Sequence, residues 1–344
     1  VRVTRKVKIG SVVIGGGEPI AVQSMLKTDP KNRVTSLRQL RKLEKVGCEL
    51  VRMAIPDRES LETFKYLKKR ARVPLIADVH FDPSLALMAI EAGADKVRVN
   101  PGNIPKSGLK EIILKAKDKN VPLRIGLNSG SLPKKFKSYP SLALGLVKAA
   151  EDFLEWAIPL GYENLVFSLK ASSIEETVEA CALFSGLYDF PLHIGLTEAG
   201  PIPEGIVKSS LALFRVLKEG IGDTVRVSLT APPELEVLSA FSVLRALGLR
   251  EKRLEIISCP TCGRTHSSLQ PLIKLVRLLE NELKGPKVVA VMGCEVNGPG
   301  EALAADLGVS LTQSGAVIFK EGKIIRRVSI SQLKEALLEE LSRI

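Results

Sequence analysis

The chain has 344 residues, 45% hydrophobic, 26% charged and 4% aromatic, with a formal net charge of +12. That length suits two domains, or one large barrel with an appendage, and the composition is that of an ordinary globular protein. No apolar run approaches the ~20 residues of a membrane span, the basic start "VRVTRKVKIG" lacks the apolar stretch of a secretory signal, and the five scattered cysteines exclude a disulfide scaffold and point to a reducing, cytoplasmic compartment.

In chain order, short apolar runs follow turn signals. They are "IAVQSM" from Ile20, "LVRMAI" from Leu50, "PLIADVH" from Pro74 and "KVRVNP" from Lys96. After them come "PLRIGLN" from Pro122, "NLVFSLK" from Asn164, "PLHIGLTE" from Pro191 and "TVRVSLT" from Thr224. Amphipathic helical segments such as "TSLRQLRKLEKVG" and "GIVKSSLALFRVLKEG" lie between them. Strand–helix alternation predicts a parallel α/β architecture, and eight units predict a (β/α)8 TIM barrel over residues 1–248. The competing expectation is an open doubly wound sheet, but no G-x-G-x-x-G follows the first strand.

Past residue 248 the rhythm breaks. "LEIIS", a helix near "SLQPLIKLVRLLENELKG", a strand "KVVAVM", a strand pair over "VSLTQSGAVIFKEGKIIRRVS" and a closing helix predict a small α+β domain over 249–344.

Chemistry in a barrel sits at the carboxyl ends of the strands. Here those ends are polar. Residues two apart share a strand face, which pairs Asp78 with His80, Arg98 with Asn100, Arg124 with Gly126 and Asn128, Ser168 with Lys170, and Ser228 with Thr230. Arg52 lies within the second strand and Glu198 ends the seventh. Arg52, Arg98, Arg124 and Lys170 thus converge on one mouth, with Asp78 and Glu198 to pair some of them. The surplus positive charge asks for an anionic ligand, and arginine forks suit phosphate oxygens. Strand-end ion pairs are the plainer reading of any one of these residues. His193 opens its strand at the opposite end and reads as structural; Cys48 and Cys181 read as small buried hydrophobes. The basic balance also invites nucleic acid, but the few aromatics and the dispersed Lys and Arg favour a small anionic substrate instead.

"SCPTCGRTH" carries Cys259 and Cys262 at C-x-x-C spacing, and "MGCEVNGPGEA" supplies Cys294. Three thiols leave a fourth ligand open. His266 would complete a Cys3His zinc site. An iron–sulfur cluster would want another donor. Glu301 stands at the start of a predicted helix, where an acid is also a helix cap. Spacing leaves zinc and iron both open.

Several stretches together carry a resemblance: "TRKVKIGSVVIGGGEPIAVQSM", "ADVHFD", "VRVNPGN", "RIGLNSGSL", "GLTEAG", "CPTCGR" and "GCEVNGPGEA". They span nearly the whole chain, and in this order they resemble the 4-hydroxy-3-methylbut-2-enyl diphosphate synthases, in the compact bacterial form. The resemblance implies a [4Fe-4S] cluster on Cys259, Cys262, Cys294 and Glu301. It implies a cyclic diphosphate substrate, 2-C-methyl-D-erythritol 2,4-cyclodiphosphate, opened by two one-electron transfers in the methylerythritol phosphate route to isoprenoids. It places the substrate on Arg52, Asp78, His80, Arg98, Asn100, Arg124, Asn128, Lys170 and Ser228, with Glu198 as the acid assisting C–O cleavage and Glu301 as a ligand able to leave. It also implies a ferredoxin or flavodoxin donor, and a homodimer in which one subunit's cluster domain caps the other's barrel, with neither nucleic acid nor membrane as partner.

Overall fold

The computed structural model describes residues 2–251, 254–263, 265, 268–283, 285–294, 300 and 303–344. Two units divide the chain, Val1–Arg250 and Glu251–Ile344.

The first unit opens with a hairpin of strands β1 (Val7–Ile9) and β2 (Val12–Ile14). Strands this short fall below what periodicity can flag, and no element is predicted there. Eight parallel strands follow: β3 (Ala21–Met25), β4 (Leu50–Ala54), β5 (Leu75–Asp78), β6 (Lys96–Val99), β7 (Leu123–Asn128), β8 (Leu165–Lys170), β9 (His193–Ile194) and β10 (Thr224–Val225). Each matches one of the predicted apolar runs. The sheet runs β8-β7-β6-β5-β4-β3-β10-β9, and a parallel bridge between Phe167 and Leu192 joins its two edges. The open doubly wound alternative is thereby excluded.

Alternation along these strands sorts the side chains. Outward residues such as Val51, Met53, Leu75, Val97, Ile125, Phe167 and Leu169 pack under the surrounding helices in the main core. Inward residues follow the register in layers of four from alternate strands, as barrel geometry requires. The lowest is Leu50, Lys96, Val166 and Thr224; next come Gln23, Ile76, Arg124 and His193; above them lie Arg52, Arg98, Ser168 and Arg226. The hairpin closes the lower end, with Val7, Ile9 and Ile14 packing on Ala21, Leu50, Ile76 and Val166 in a small apolar plug. The upper interior is polar and charged.

The second unit holds one five-stranded sheet in sequential order: β11 (Leu254–Ser258), β12 (Lys287–Met292), β13 (Leu307–Thr312), β14 (Gly315–Lys320) and β15 (Lys323–Val328). β11, β12 and β13 are parallel, and β14 and β15 return antiparallel. The helices Gln270–Leu279 and Leu333–Ser342 bury Val276, Leu279, Ala336 and Leu337 against Val289, Val309 and Ile318. The stretch read as a strand pair forms three strands. Its second loop is only Glu321-Gly322, both at positive φ (50° and 76°), the backbone of a tight hairpin turn that leaves no loop signature.

Candidate active site

The barrel interior is where the charge collects. Asp78, at the upper end of β5, is 2% exposed. Its Oδ1 accepts from Arg98 Nη1 at 3.2 Å, and its Oδ2 lies 3.3 Å from Arg52 Nε. His80 Nε2 stands 3.4 Å from the same carboxylate and 3.1 Å from Arg98 Nη1. Burial opposes the Asp78 charge, but Arg52, the His80 hydrogen bond and Arg98 outweigh it and hold the carboxyl well below its ordinary range. With the Asn128 amide turned so that its oxygen faces the barrel, it accepts from Arg98 Nη2 at 3.1 Å. The structure therefore gathers Arg52, Asp78, His80, Arg98 and Asn128 into one connected cluster. Burial lowers Arg52 to about 10 even beside Asp78.

Arg124 and Lys170 sit in the same interior with no carboxylate in ion-pair distance among the described residues. Arg124 is 2% exposed, and its Nε and Nη1 meet no hydrogen-bond partner among the described residues. Burial first, then the charges of Arg52 and Arg98, push it well below the ordinary arginine value. Lys170, also buried, is depressed by burial and then by Arg124 and Arg52. Gly126 makes the crowding possible: a Cβ there would lie 2.5 Å from Arg98 Nε, so only glycine leaves room for that guanidinium.

The remaining predicted residues line the upper rim. Asn100 donates to Ser131 Oγ at 2.7 Å and accepts from the Gly102 amide at 3.0 Å, bracing the loop after β6. Ser228 is half-buried just past β10. Glu198 is exposed in the loop after β9 and held at φ 53°, a left-handed backbone that is uncommon for a non-glycine residue.

Sequence reasoning missed three groups. Lys96 shares the inward face of β6 with Arg98 and is fully buried. Arg226 shares the face of Thr224 and Ser228, and its guanidinium meets Glu236 at 3.3 Å. The same period-two rule that picks Arg98 and Ser228 points to both. Glu236 comes from the helix Pro233–Ala246 and also takes Lys27 Nζ at 2.8 Å and the Leu229 amide at 3.0 Å; nothing in a helical pattern marks it. His193 opens β9 and is buried in the barrel, with Nδ1 2.7 Å from Thr224 Oγ1. Cys48 and Cys181 are buried, and burial lifts each thiol to about 12.

In the second unit Cys259 follows β11 and Cys294 follows β12, parallel neighbours in register at Ser258 and Val291. Both chains therefore leave the sheet at one end, with the exposed Cys262 three residues past Cys259. Cys259 Sγ accepts the Gly293 amide at 3.2 Å, and a Cβ on Gly293 would crowd both that sulfur and Thr265 Oγ1. An amide aimed at sulfur stabilises a thiolate, so the donor set fits a soft metal or an iron–sulfur cluster. Among the described residues no three Cys, His, Asp or Glu side chains are gathered tightly enough to hold a metal ion. Glu301 and His266, the candidates for a fourth position, lie outside the described residues. Among the described residues, no helix is long and apolar enough to cross a membrane.

Residues 4–241 match the GcpE TIM-barrel domain, and residues 255–343 match the GcpE protein C-terminal domain. A 4-hydroxy-3-methylbut-2-en-1-yl diphosphate synthase (flavodoxin) from Thermodesulfovibrio yellowstonii is 48% identical over 99% of this chain and 98% of its own. The protein of the same name from Caldanaerobacter subterraneus subsp. tengcongensis is 44% identical over 99% and 97%. Among solved structures, the dihydropteroate synthase from Stenotrophomonas maltophilia superposes with a TM-score of 0.55 at 16% identity, over 71% of this chain and 99% of that one. At that identity the likeness speaks for the barrel fold alone.

Proposed function

The chain belongs to the GcpE family, and from that membership we propose how its two units carry out the synthase reaction. The activity is the reductive dehydrating ring opening of 2-C-methyl-D-erythritol 2,4-cyclodiphosphate to 4-hydroxy-3-methylbut-2-enyl diphosphate. The reaction breaks one C–O bond of the ring, expels a hydroxyl as water, and takes up two electrons together with protons.

One observation carries the assignment of the substrate site. Arg124 and Lys170 are buried with no carboxylate in ion-pair distance among the described residues. Unmatched buried cations are costly unless an anion completes them. The ring's two phosphoryl groups supply that anion. Arg52, Arg98, Arg124, Lys170 and Ser228 hold it, so the diphosphate stays anchored while the C–O bond opens. Asp78 fixes Arg52 and Arg98 in place, Asn100 and Asn128 shape the rim, and His80 donates from the mouth. Glu198, free of any side-chain partner given by the described residues, supplies a proton to the leaving oxygen.

Cys259, Cys262, Cys294 and Glu301 would hold the [4Fe-4S] cluster, which when bound would supply electrons one at a time and a Lewis-acidic iron. A carboxylate binds iron less tightly than a thiolate does, which makes Glu301 the exchangeable ligand. The relatives' printed name supports flavodoxin as the donor, with ferredoxin as the alternative small carrier. Cys48 and Cys181 are buried free thiols, in keeping with a cytoplasmic enzyme.

Anaerobically purified protein tests this reading. It should be brown, hold about four iron and four sulfide per chain, and turn over the cyclic diphosphate with reduced flavodoxin. Colourless protein with stoichiometric zinc would sink the cluster assignment.

A homodimer is the second part of the proposal. On the helix Glu204–Lys218, Val207, Leu211 and Phe214 are 55%, 50% and 42% exposed, and they recur at helical spacing. Leu183 and Leu187 are also exposed, on the neighbouring helix Ile174–Leu187. A contiguous apolar stripe of this kind suits an isologous partner. Light scattering should report two chains for the native protein and one for Leu211→Glu; a native monomer with full activity removes the dimer.

A further inference from the structure

Lys96 is a buried basic residue that the reaction scheme above leaves without a task. It is fully buried, and its Nζ meets no hydrogen-bond partner among the described residues. The apolar plug seals the barrel beneath it, with Leu50 and Val166 in its own layer. Around it stand Gln23, Thr224, His193, Arg124 and Arg52 on the other strands. Both polar atoms of the Gln23 amide and Nε2 of His193 are also without partners among the described residues. Asp78, the carboxylate of the cluster above, lies over this level and is engaged by Arg52, Arg98 and His80.

A guanidinium cannot shed its proton in a protein, but an ammonium can. Where unmatched cations crowd a sealed, apolar floor, the lysine is the group that gives way. Burial first, and then the charges of Arg124 and Arg52, press Lys96 well below the ordinary lysine value. His193 is pressed down in the same way, by burial and then Lys170 and Arg124, and stays neutral.

We propose that Lys96 is an uncharged amine in the ligand-free barrel and becomes an ammonium when the cyclic diphosphate enters, so that substrate binding takes up a proton at the barrel floor. This rests on the anion-binding reading of the barrel. Each phosphorus of the ring carries a single acidic oxygen, ionised at neutral pH, so the substrate brings negative charge and no titrating proton of its own. Those charges offset Arg124 and Arg52, and their attraction for an ammonium acts against the burial that disfavours it. Lys170 responds similarly from above, but it touches the ligand. Lys96 acts through charge alone, as a positioning residue that adds a second tier of attraction beneath the bound anion.

Calorimetric titration of the holoenzyme with the cyclic diphosphate at pH 8, in two buffers of different ionisation enthalpy, counts the protons taken up. The native enzyme should take up about one to two per site. Lys96→Met should still bind substrate, with the uptake lower by about one. Heats that do not depend on the buffer overturn the proposal, and so does an unchanged uptake in Lys96→Met. A native enzyme that shows no binding overturns the anion-site reading instead.

A second measurement needs no ligand. An unfolded lysine titrates at its ordinary value of 10.5, and the folded one below it. Throughout the window between them the unfolded state binds more protons, so stability rises with pH. Ligand-free native protein should gain stability from neutral pH toward that value, and Lys96→Gln should lose that part of the slope. Identical slopes in the two proteins overturn the neutral amine.

Discussion

Replacing Cys259 with alanine should leave anaerobically purified protein colourless, with iron falling from about four per chain to near zero and turnover below detection. The same change at Cys181 should leave iron and turnover intact and cost about 1 kcal/mol of stability for the lost sulfur packing. The contrast comes from environment. Cys181 is 1% exposed inside the barrel core, and its thiol, lifted to about 12, stays protonated at neutral pH; a protonated thiol is no ligand. Cys259 stands at a strand end, half-buried, with the Gly293 amide 3.2 Å from its sulfur. Thermal melting of the barrel separates loss of cluster from loss of fold, because the barrel has its own core. A Cys259→Ala protein that keeps its full iron would remove this residue from the ligand set.

Much of this could be read from the sequence because parallel strands advertise themselves. Eight apolar runs after turn signals marked all eight barrel strands, since a strand buried on both faces is written in consecutive apolar residues. The exceptions in those runs were the informative residues. Arg52, Asp78, Arg98, Arg124 and Lys170 interrupt otherwise apolar strands, and each proves to be inward-facing and buried or nearly so. The same rule should have flagged Lys96 and Arg226. Lys96 stands at the start of its run, far from the strand end, whereas Arg226 holds the same place in its run as Arg98 and was equally legible. The depth was also misjudged. Arg52, Arg98 and Arg124 sit within the barrel instead of at its rim, because they face inward from positions before the ends of their strands. Glu236 was out of reach, because a helix-borne acid gives no sign that it turns into the barrel. The two halves of the proposed cluster site were legible as C-x-x-C and a distant cysteine, but sequence spacing cannot say that their two segments leave adjacent parallel strands.

Arg124→Met should have opposite effects on stability and on activity. Methionine fills a volume similar to the arginine stem and carries no charge. In the ligand-free protein it removes a buried guanidinium whose Nε and Nη1 have no partner among the described residues and which repels Arg52 and Arg98. Replacing such a buried charge with a well-packed apolar side chain is neutral or stabilising by about 1–4 kcal/mol. In the complex, the same change deletes one preorganised donor from the diphosphate cradle, at a cost of about 10²–10³ in kcat/KM. Denaturant melts of the ligand-free proteins and steady-state kinetics on the cyclic diphosphate measure the two sides. A variant that is destabilised by several kcal/mol would show that Arg124 is a structural ion-pair member, and one with unchanged kcat/KM would take it out of the site. The expected pair of signs belongs to a residue kept in the barrel for its ligand at the expense of the empty fold. Asp78 sets the opposite case: its carboxylate holds Arg52 and Arg98 together, so removing it leaves two buried cations unpaired and should weaken stability and binding at once. Two inward-facing residues of one barrel, close enough for their charges to act on each other, thus separate function from stability by the sign of the change each one causes.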